Sequence, residues 1–120
     1  MGFPFKRVRP RQRHVPGTMN KTEKAYAERL DLLQRAGEIR SWKFESVKFK
    51  LADKTYYTPD FMVVTEEQVE FHDTKGSFVE DDFMVKVKVV AEMYPEFCFK
   101  LVEAKYTDRD GLRIIKVTEY

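Results

Sequence analysis

Cysteine and histidine are nearly missing from this chain, which has one Cys, at position 98, and two His, at positions 14 and 72. That scarcity excludes a disulfide framework and a zinc site of ordinary ligand spacing. Cys98 sits in the apolar run Phe97-Cys98-Phe99 and reads as a buried reduced thiol. No stretch approaches the roughly 18 apolar residues of a membrane helix. No apolar segment follows the basic N-terminal residues, so neither a span nor a secretory signal is expected, and the expected place of action is the cytoplasm. Proline is scarce and uneven: Pro4, Pro10 and Pro16 account for three of the five and argue against a continuous helix before residue 18. There is no internal repeat. What the chain does have is 42% hydrophobic residues, with ten Phe, six Tyr and one Trp, in 120 residues, enough for one compact core and too few for two.

The net charge of +2 hides an asymmetry. Residues 1–17 contain Lys6, Arg7, Arg9, Arg11 and Arg13 and no acid, a charge of +5. Residues 18–120 are left with 17 bases against 20 acids, a balance of −3. A basic arm beside a mildly acidic domain points to a polyanion that the arm attracts, with the acids of the domain reserved for another task. The competing reading is a solubilising or disordered tail.

Over residues 20–35, Tyr26, Ala27, Leu30 and Leu33 recur at helical spacing, Asn20 and Glu23 form a capping box, and Gly37 supplies the stop. Residues 41–51 alternate as a first strand, with a change of phase near Glu45 that suits a β-bulge. Asp53-Lys54 turns the chain into a second strand, about 56–64, and the polar tip Thr65-Glu66-Glu67-Gln68 leads to a third, 69–75. Residues 80–94 fit a strand through Phe83, Val85, Val87 and Val89, or a helix through Phe83, Val87, Val90 and Tyr94. Asp81 and Asp82 at the start, the length, and the Lys88–Glu92 pair favour a helix that Pro95 ends. Residues 97–102 and 112–117 read as two further strands around a turn at 107–111. This order predicts an α/β (α+β) sandwich, a central mixed β-sheet flanked by helices.

The second and third strands carry the chemistry. If their hairpin centres between Glu66 and Glu67, opposed residues have numbers summing to 133, and Asp60 faces Asp73. The same register opposes Met62 to Phe71 and Val64 to Val69, a consistent apolar face with two carboxylates at its open end. Alternation puts Lys75 on that face and His72 on the other. Opposed Cβ atoms lie about 4.5–5.5 Å apart, so the two acids repel unless a cation separates them. A hard ion such as Mg²⁺, with Mn²⁺ as substitute, would take Asp60, Asp73, the Thr74 carbonyl and waters. Lys75 could then orient the attacking water and stabilise charge developing on a phosphate. The alternative is a pair of solvated acids at strand ends with Lys75 paired to one of them. Glu45, at the phase change, reads as a surface acid more readily than as a site residue. Lys88 reads as solvated, and Lys86 is open to either a phosphate contact or a solvated face.

Pro59-Asp60, the tripeptide Asp73-Thr74-Lys75 and an upstream Glu-bearing helix resemble the signature of the PD-(D/E)XK nuclease superfamily. Four blocks resemble a small phage and prophage branch related to Holliday-junction resolvases. They are Asn20-Lys21-Thr22-Glu23-Lys24-Ala25-Tyr26-Ala27-Glu28, Trp42-Lys43-Phe44-Glu45, Tyr57-Thr58-Pro59-Asp60-Phe61 and His72-Asp73-Thr74-Lys75-Gly76. The resemblance covers most of residues 19–103, and departs in one place: the branch usually has Glu where this chain has Asp73. It implies a restriction-endonuclease-like core, Asp60 and Asp73 as metal ligands, Lys75 as the catalytic lysine and Glu23 as the upstream acid. Glu23 can also serve simply as the capping partner of Asn20. The implied activity is Mg²⁺-dependent hydrolysis of DNA phosphodiesters, with branched DNA as substrate, in a bacterial host cell if the source is a phage. Symmetric cutting of a junction would need two sites and hence a homodimer. Lys6, Arg7, Arg9, Arg11, Arg13 and Lys86 are the expected nucleic-acid contacts. The alternative is a non-catalytic nucleic-acid-binding accessory protein with a degenerate nuclease fold.

Overall fold

The computed structural model describes residues 17–76 and 79–120. The basic residues Lys6, Arg7, Arg9, Arg11 and Arg13 therefore lie outside the described residues. The first element is α1, Lys21–Arg35. Its capping box is complete: Asn20 Oδ1 accepts from the Glu23 N–H at 2.8 Å, and the Asn20 N–H donates to Glu23 Oε1 at 2.9 Å. Gly37, at φ 80°, ends it. The Gly37 N–H donates to the Gln34 carbonyl at 3.0 Å and the Glu38 N–H to the Leu33 carbonyl at 2.9 Å, a Schellman closure that a left-handed glycine permits.

The remaining elements are β1 Ser41–Phe44, β2 Phe49–Ala52, β3 Thr55–Tyr57, β4 Phe61–Val64, β5 Val69–Lys75, α2 Asp81–Met93, β6 Cys98–Thr107 and β7 Gly111–Glu119. Five strands form a mixed sheet in the order β1-β4-β5-β6-β7, while β2 and β3 form a separate two-stranded sheet. Among the described strands only β5 and β6 run parallel, with α2 as their crossover. The fold is thus α+β, with the expected mixed sheet and two helices.

Each face of the main sheet has its own core. On one face Tyr26, Ala27 and Leu30 of α1 pack on Phe61, Val63, Val102 and Ala104. On the other, Phe83, Val87 and Val90 of α2 pack on Phe71, Phe99 and Leu101, together with Phe49 and Tyr57 of the small sheet. The helical choice for 80–94 holds because these three α2 residues are buried while Val85 and Val89, needed inside for a strand, are exposed.

Two expected strands are each divided. The phase change near Glu45 is a break rather than a bulge: Glu45 has φ 48°, and the chain leaves the main sheet to form β2. The expected strand 56–64 is cut at Thr58–Asp60, where Pro59 has no N–H to donate to a ladder. The final hairpin is longer than expected, because β6 and β7 stay paired up to Thr107 opposite Gly111. Among the described residues no helix is long and apolar enough to cross a membrane.

Phe61 is fully buried, with its ring 5.3 Å from that of Tyr26, 5.7 Å from Trp42 and 5.4 Å from Phe44. Phe61→Ala is expected to lower the free energy of unfolding by about 3–5 kcal/mol, read from a denaturant titration.

Candidate active site

Strand β5 determines where the site lies. Its ladder with β4 pairs Phe61 with His72, Met62 with Phe71, Val63 with Glu70 and Val64 with Val69, the expected register. One further step brings Asp60 opposite Asp73, and there the Asp60 N–H donates to Asp73 Oδ1 at 3.3 Å in place of a ladder bond. Asp60 in turn reaches across to β5, where its Oδ2 accepts from the Thr74 N–H at 2.9 Å and from Thr74 Oγ1 at 3.3 Å. Asp73 therefore holds the backbone of Asp60, and Asp60 holds that of Thr74. Asp73 and Lys75 lie at the carboxyl end of β5, where the crossover to α2 begins, a usual place for ligand sites in open sheets with parallel strands.

A cleft of about 370 Å³ opens at this point, and Asp60, Asp73, Lys75 and Glu23 all line it. Glu23, in the first turn of α1, is 7% exposed, so the capping box and a place in the site coexist. The Lys75 Nζ stands 4.9 Å from the centre of the Phe83 ring. Lys86 also lines the cleft, but its Nζ lies 3.5 Å from Asp82 Oδ2 on its own helix. His72 lies on the opposite face, bonded to Tyr26, as alternation requires.

Glu45 is a correction. It lies on the cleft wall and accepts from the Gly17 N–H at 2.9 Å, because the left-handed turn at this residue redirects the chain there. Tyr57 was not legible beforehand. Its hydroxyl donates to Asp73 Oδ2, from the small sheet that covers this end of the core. Its trace in the sequence is its place at the head of the block Tyr57-Thr58-Pro59-Asp60-Phe61, which gives it no role. Glu80 and Asp82, at the start of α2, complete the acidic wall.

Burial comes first in setting the electrostatics, with the Asp73 charge second for Asp60. Asp60 is pushed well above the ordinary carboxylate range by burial first and by Asp73 second, against the opposing pull of the Thr74 N–H and Lys75. Asp73 is raised too, by burial, despite the Tyr57 hydrogen bond and Lys75. Burial and the Asp73 charge likewise raise the Tyr57 hydroxyl. The cleft wall carries six acids, Glu23, Glu45, Asp60, Asp73, Glu80 and Asp82, against Lys75 and Lys86, a balance of −4 with all of them ionised. Such a site favours a cation or a retained proton.

The donor set suits a hard cation. It is all oxygen: two carboxylates facing each other, with Glu23 behind them. Thr74, expected to lend its carbonyl, is buried and does not line the cleft; its N–H and Oγ1 are the groups that meet Asp60. Among the described residues no His or Cys lines the cleft, a donor set that disfavours zinc or copper. Among the described residues no three His, Cys, Asp or Glu side chains already stand in ligating arrangement. Glu23 is held by Asn20, and both Asp73 oxygens accept bonds from the protein. An ion bound here would keep several waters, as Mg²⁺ commonly does.

The sequence matches no model of a known protein family and no curated protein.

Because the folded-state pKa of Asp60 lies above its unfolded value, the group favours folding below the ordinary carboxylate range and loses that contribution as pH rises through the folded value. In EDTA at neutral pH, Asp60→Asn is therefore expected to raise Tm by about 4 °C, the shift that ~1 kcal/mol produces in a small domain. Below pH ~4 the gain should vanish. Millimolar Mg²⁺ should raise the Tm of the wild type and leave that of the variant unchanged. Equal melting of the two proteins in EDTA at neutral pH would contradict this account.

Proposed function

We propose that this protein is a Mg²⁺-dependent endonuclease that hydrolyses DNA phosphodiester bonds, with branched DNA as its substrate. The observation that carries the proposal is the arrangement at the β4–β5 junction: a buried Asp73 and a half-buried Asp60 in direct opposition, both raised in pKa, with an ammonium two residues along the same strand face. The resemblance of residues 19–103 to the PD-(D/E)XK nucleases supports the same chemistry, since Asp60, Asp73 and Lys75 fall on that signature.

A divalent cation, when bound, supplies Lewis-acid polarisation of the phosphate and a more acidic water. The remaining work falls to the chain. Asp60 and Asp73 hold fixed positions because the Thr74 and Asp60 N–H groups clamp one oxygen of each, so little reorganisation accompanies binding of charge. Lys75 has its stem along the cleft wall and its ammonium over the Phe83 ring, from which it can donate to an attacking water and stabilise charge on the phosphoryl oxygens. Glu23 adds negative charge behind Asp60, strengthening the hold on a cation. The basic arm provides attraction for the polyanion that the acidic cleft lacks.

One observation favours a second reading. Asp73 stands where the resembled branch has the longer Glu, and both its oxygens already accept bonds from the protein. A chain in which this acid has become structural would be a nucleic-acid-binding protein without nuclease activity.

Asp60→Asn, Asp73→Asn and Lys75→Ala are each expected to lower cleavage of a four-way junction in Mg²⁺ at least a hundredfold, while each protein still binds the junction in Ca²⁺. Wild-type cleavage rates from any of the three would refute the assignment of that residue. Absence of cleavage by the wild type on junction, duplex and single strand alike, with binding retained, would establish the second reading.

Deleting residues 1–16 is expected to lower the slope of log K against log salt by roughly 2 to 4, within the ceiling of about 4.5 for five phosphates on duplex DNA. Coincident slopes with and without the arm would assign the basic contacts to the folded domain.

A further inference from the structure

A wall of six acids and two lysines gives a polyanion no attraction of its own. Besides the arm, cations of the folded domain beside the cleft would guide a strand into it, and neither Lys75, inside it, nor Lys86, paired with Asp82, forms such a surface. The small sheet does. In its register Phe49 opposes Tyr57 and Lys50 opposes Tyr56. Phe49 and Tyr57 face the core and are buried. Strand alternation then turns Lys50 and Tyr56 outward, and both are exposed.

Lys48 lies on the same outer side, with its Nζ 4.4 Å from the centre of the Tyr56 ring. Lys54, exposed at the hairpin turn with φ 57°, adds a third cation. Against these three lysines the hairpin 48–57 carries one acid, Asp53. Tyr56 is 40% exposed even with Lys48 over its ring. It also lines the cleft, so this outer face is continuous with the site that holds Asp60 and Asp73.

We propose that the outer face of the β2–β3 hairpin, formed by Lys48, Lys50, Lys54 and Tyr56, is a nucleic-acid platform: its lysines take the phosphates of a strand and Tyr56 stacks a base as that strand enters the cleft. An aromatic ring ringed by cations on a short sheet suits single-stranded or unpaired nucleotides, because every base offers a π-face and every nucleotide a phosphate. The face reads no sequence, since lysines on phosphates carry no base information. The inference takes from the nuclease reading the reason why DNA approaches this cleft, but its surface is independent of catalysis.

The test uses the full chain in Ca²⁺, with a fluorescent single-stranded oligonucleotide and the same strand in duplex, across a salt series. The triple variant Lys48→Ala, Lys50→Ala, Lys54→Ala should lower the slope of log K against log salt on duplex by roughly 2, against a ceiling of about 2.7 for three phosphates. A control triple of equal charge on the strands β6 and β7, Lys105→Ala, Arg113→Ala, Lys116→Ala, should lower it by less than about 0.5. Tyr56→Ala should weaken single-strand binding about tenfold and Tyr56→Phe should restore it. All these positions are exposed, and unchanged melting of each variant confirms that it is folded. Equal slope changes for the two triples, or unchanged binding by the hairpin triple, overturn the platform. Binding of phosphatidylserine vesicles with no binding of either DNA overturns it as well. If wild-type binding depends on the hairpin and yet Mg²⁺ supports no cleavage, the platform stands and the nuclease reading falls.

Discussion

Strand β5 has no face turned to water. Glu70, Phe71, His72, Asp73 and Thr74 are all buried, because α1 covers one side of the sheet and α2 with the small sheet covers the other. Four of those five are polar or charged, and buried polar groups without partners cost roughly 1–3 kcal/mol each. The rest of the fold is arranged so that each finds one, and among the described residues no buried side-chain polar atom lacks a hydrogen bond.

The two faces answer that demand in opposite ways. On the α1 side, with the ring proton of His72 on Nε2, Tyr26 donates to Nδ1 at 2.7 Å and His72 donates to Glu70 at 2.8 Å. Lys100, directly opposite His72 on β6, reaches the same Glu70 oxygen at 3.1 Å. This network is satisfied, and it holds Glu70 down to about 2, chiefly through the His72 bond. Burial pushes the Tyr26 hydroxyl up to about 12, so it stays a donor. On the α2 side Asp73 meets Asp60 and a tyrosine, and both acids are raised rather than lowered. A depressed carboxylate stabilises the fold at neutral pH, while raised carboxylates in a cleft work against it, the expected mark of a site kept for function.

The same opposition recurs at the scale of the surface. The acids collect around the mouth of the cleft, after β1, at the starts of α1 and α2 and at the β4–β5 junction, while Lys48, Lys50 and Lys54 lie in or beside the hairpin of a sheet that is not part of the main ladder. Detaching that small sheet at Glu45 and Pro59 separates the two signs of charge, although they are near neighbours along the chain. The division would serve the proposed pairing of a cation with a polyanion.

The local features were decided by the chain itself. The capping box of Asn20 and Glu23, the stop at Gly37, the helix through Phe83, Val87 and Val90, and the register opposing Met62 to Phe71 rest on periodicity and on contacts a few residues apart. For the same reason the juxtaposition of Asp60 with Asp73 was legible, since a short hairpin fixes it. Only the tertiary structure decided that residues 41–51 and 56–64 are each split between two sheets, because the phase change at Glu45 and the proline at 59 mark an interruption without saying which partner each half will find. The placement of Tyr57 on Asp73, of Glu45, Glu80 and Asp82 around the cleft, and of Lys48 over Tyr56 follows from that split. Those contacts form when Phe49 and Tyr57 bury themselves against Phe71, Phe83 and Phe99, a packing choice between segments distant in sequence that no local pattern encodes.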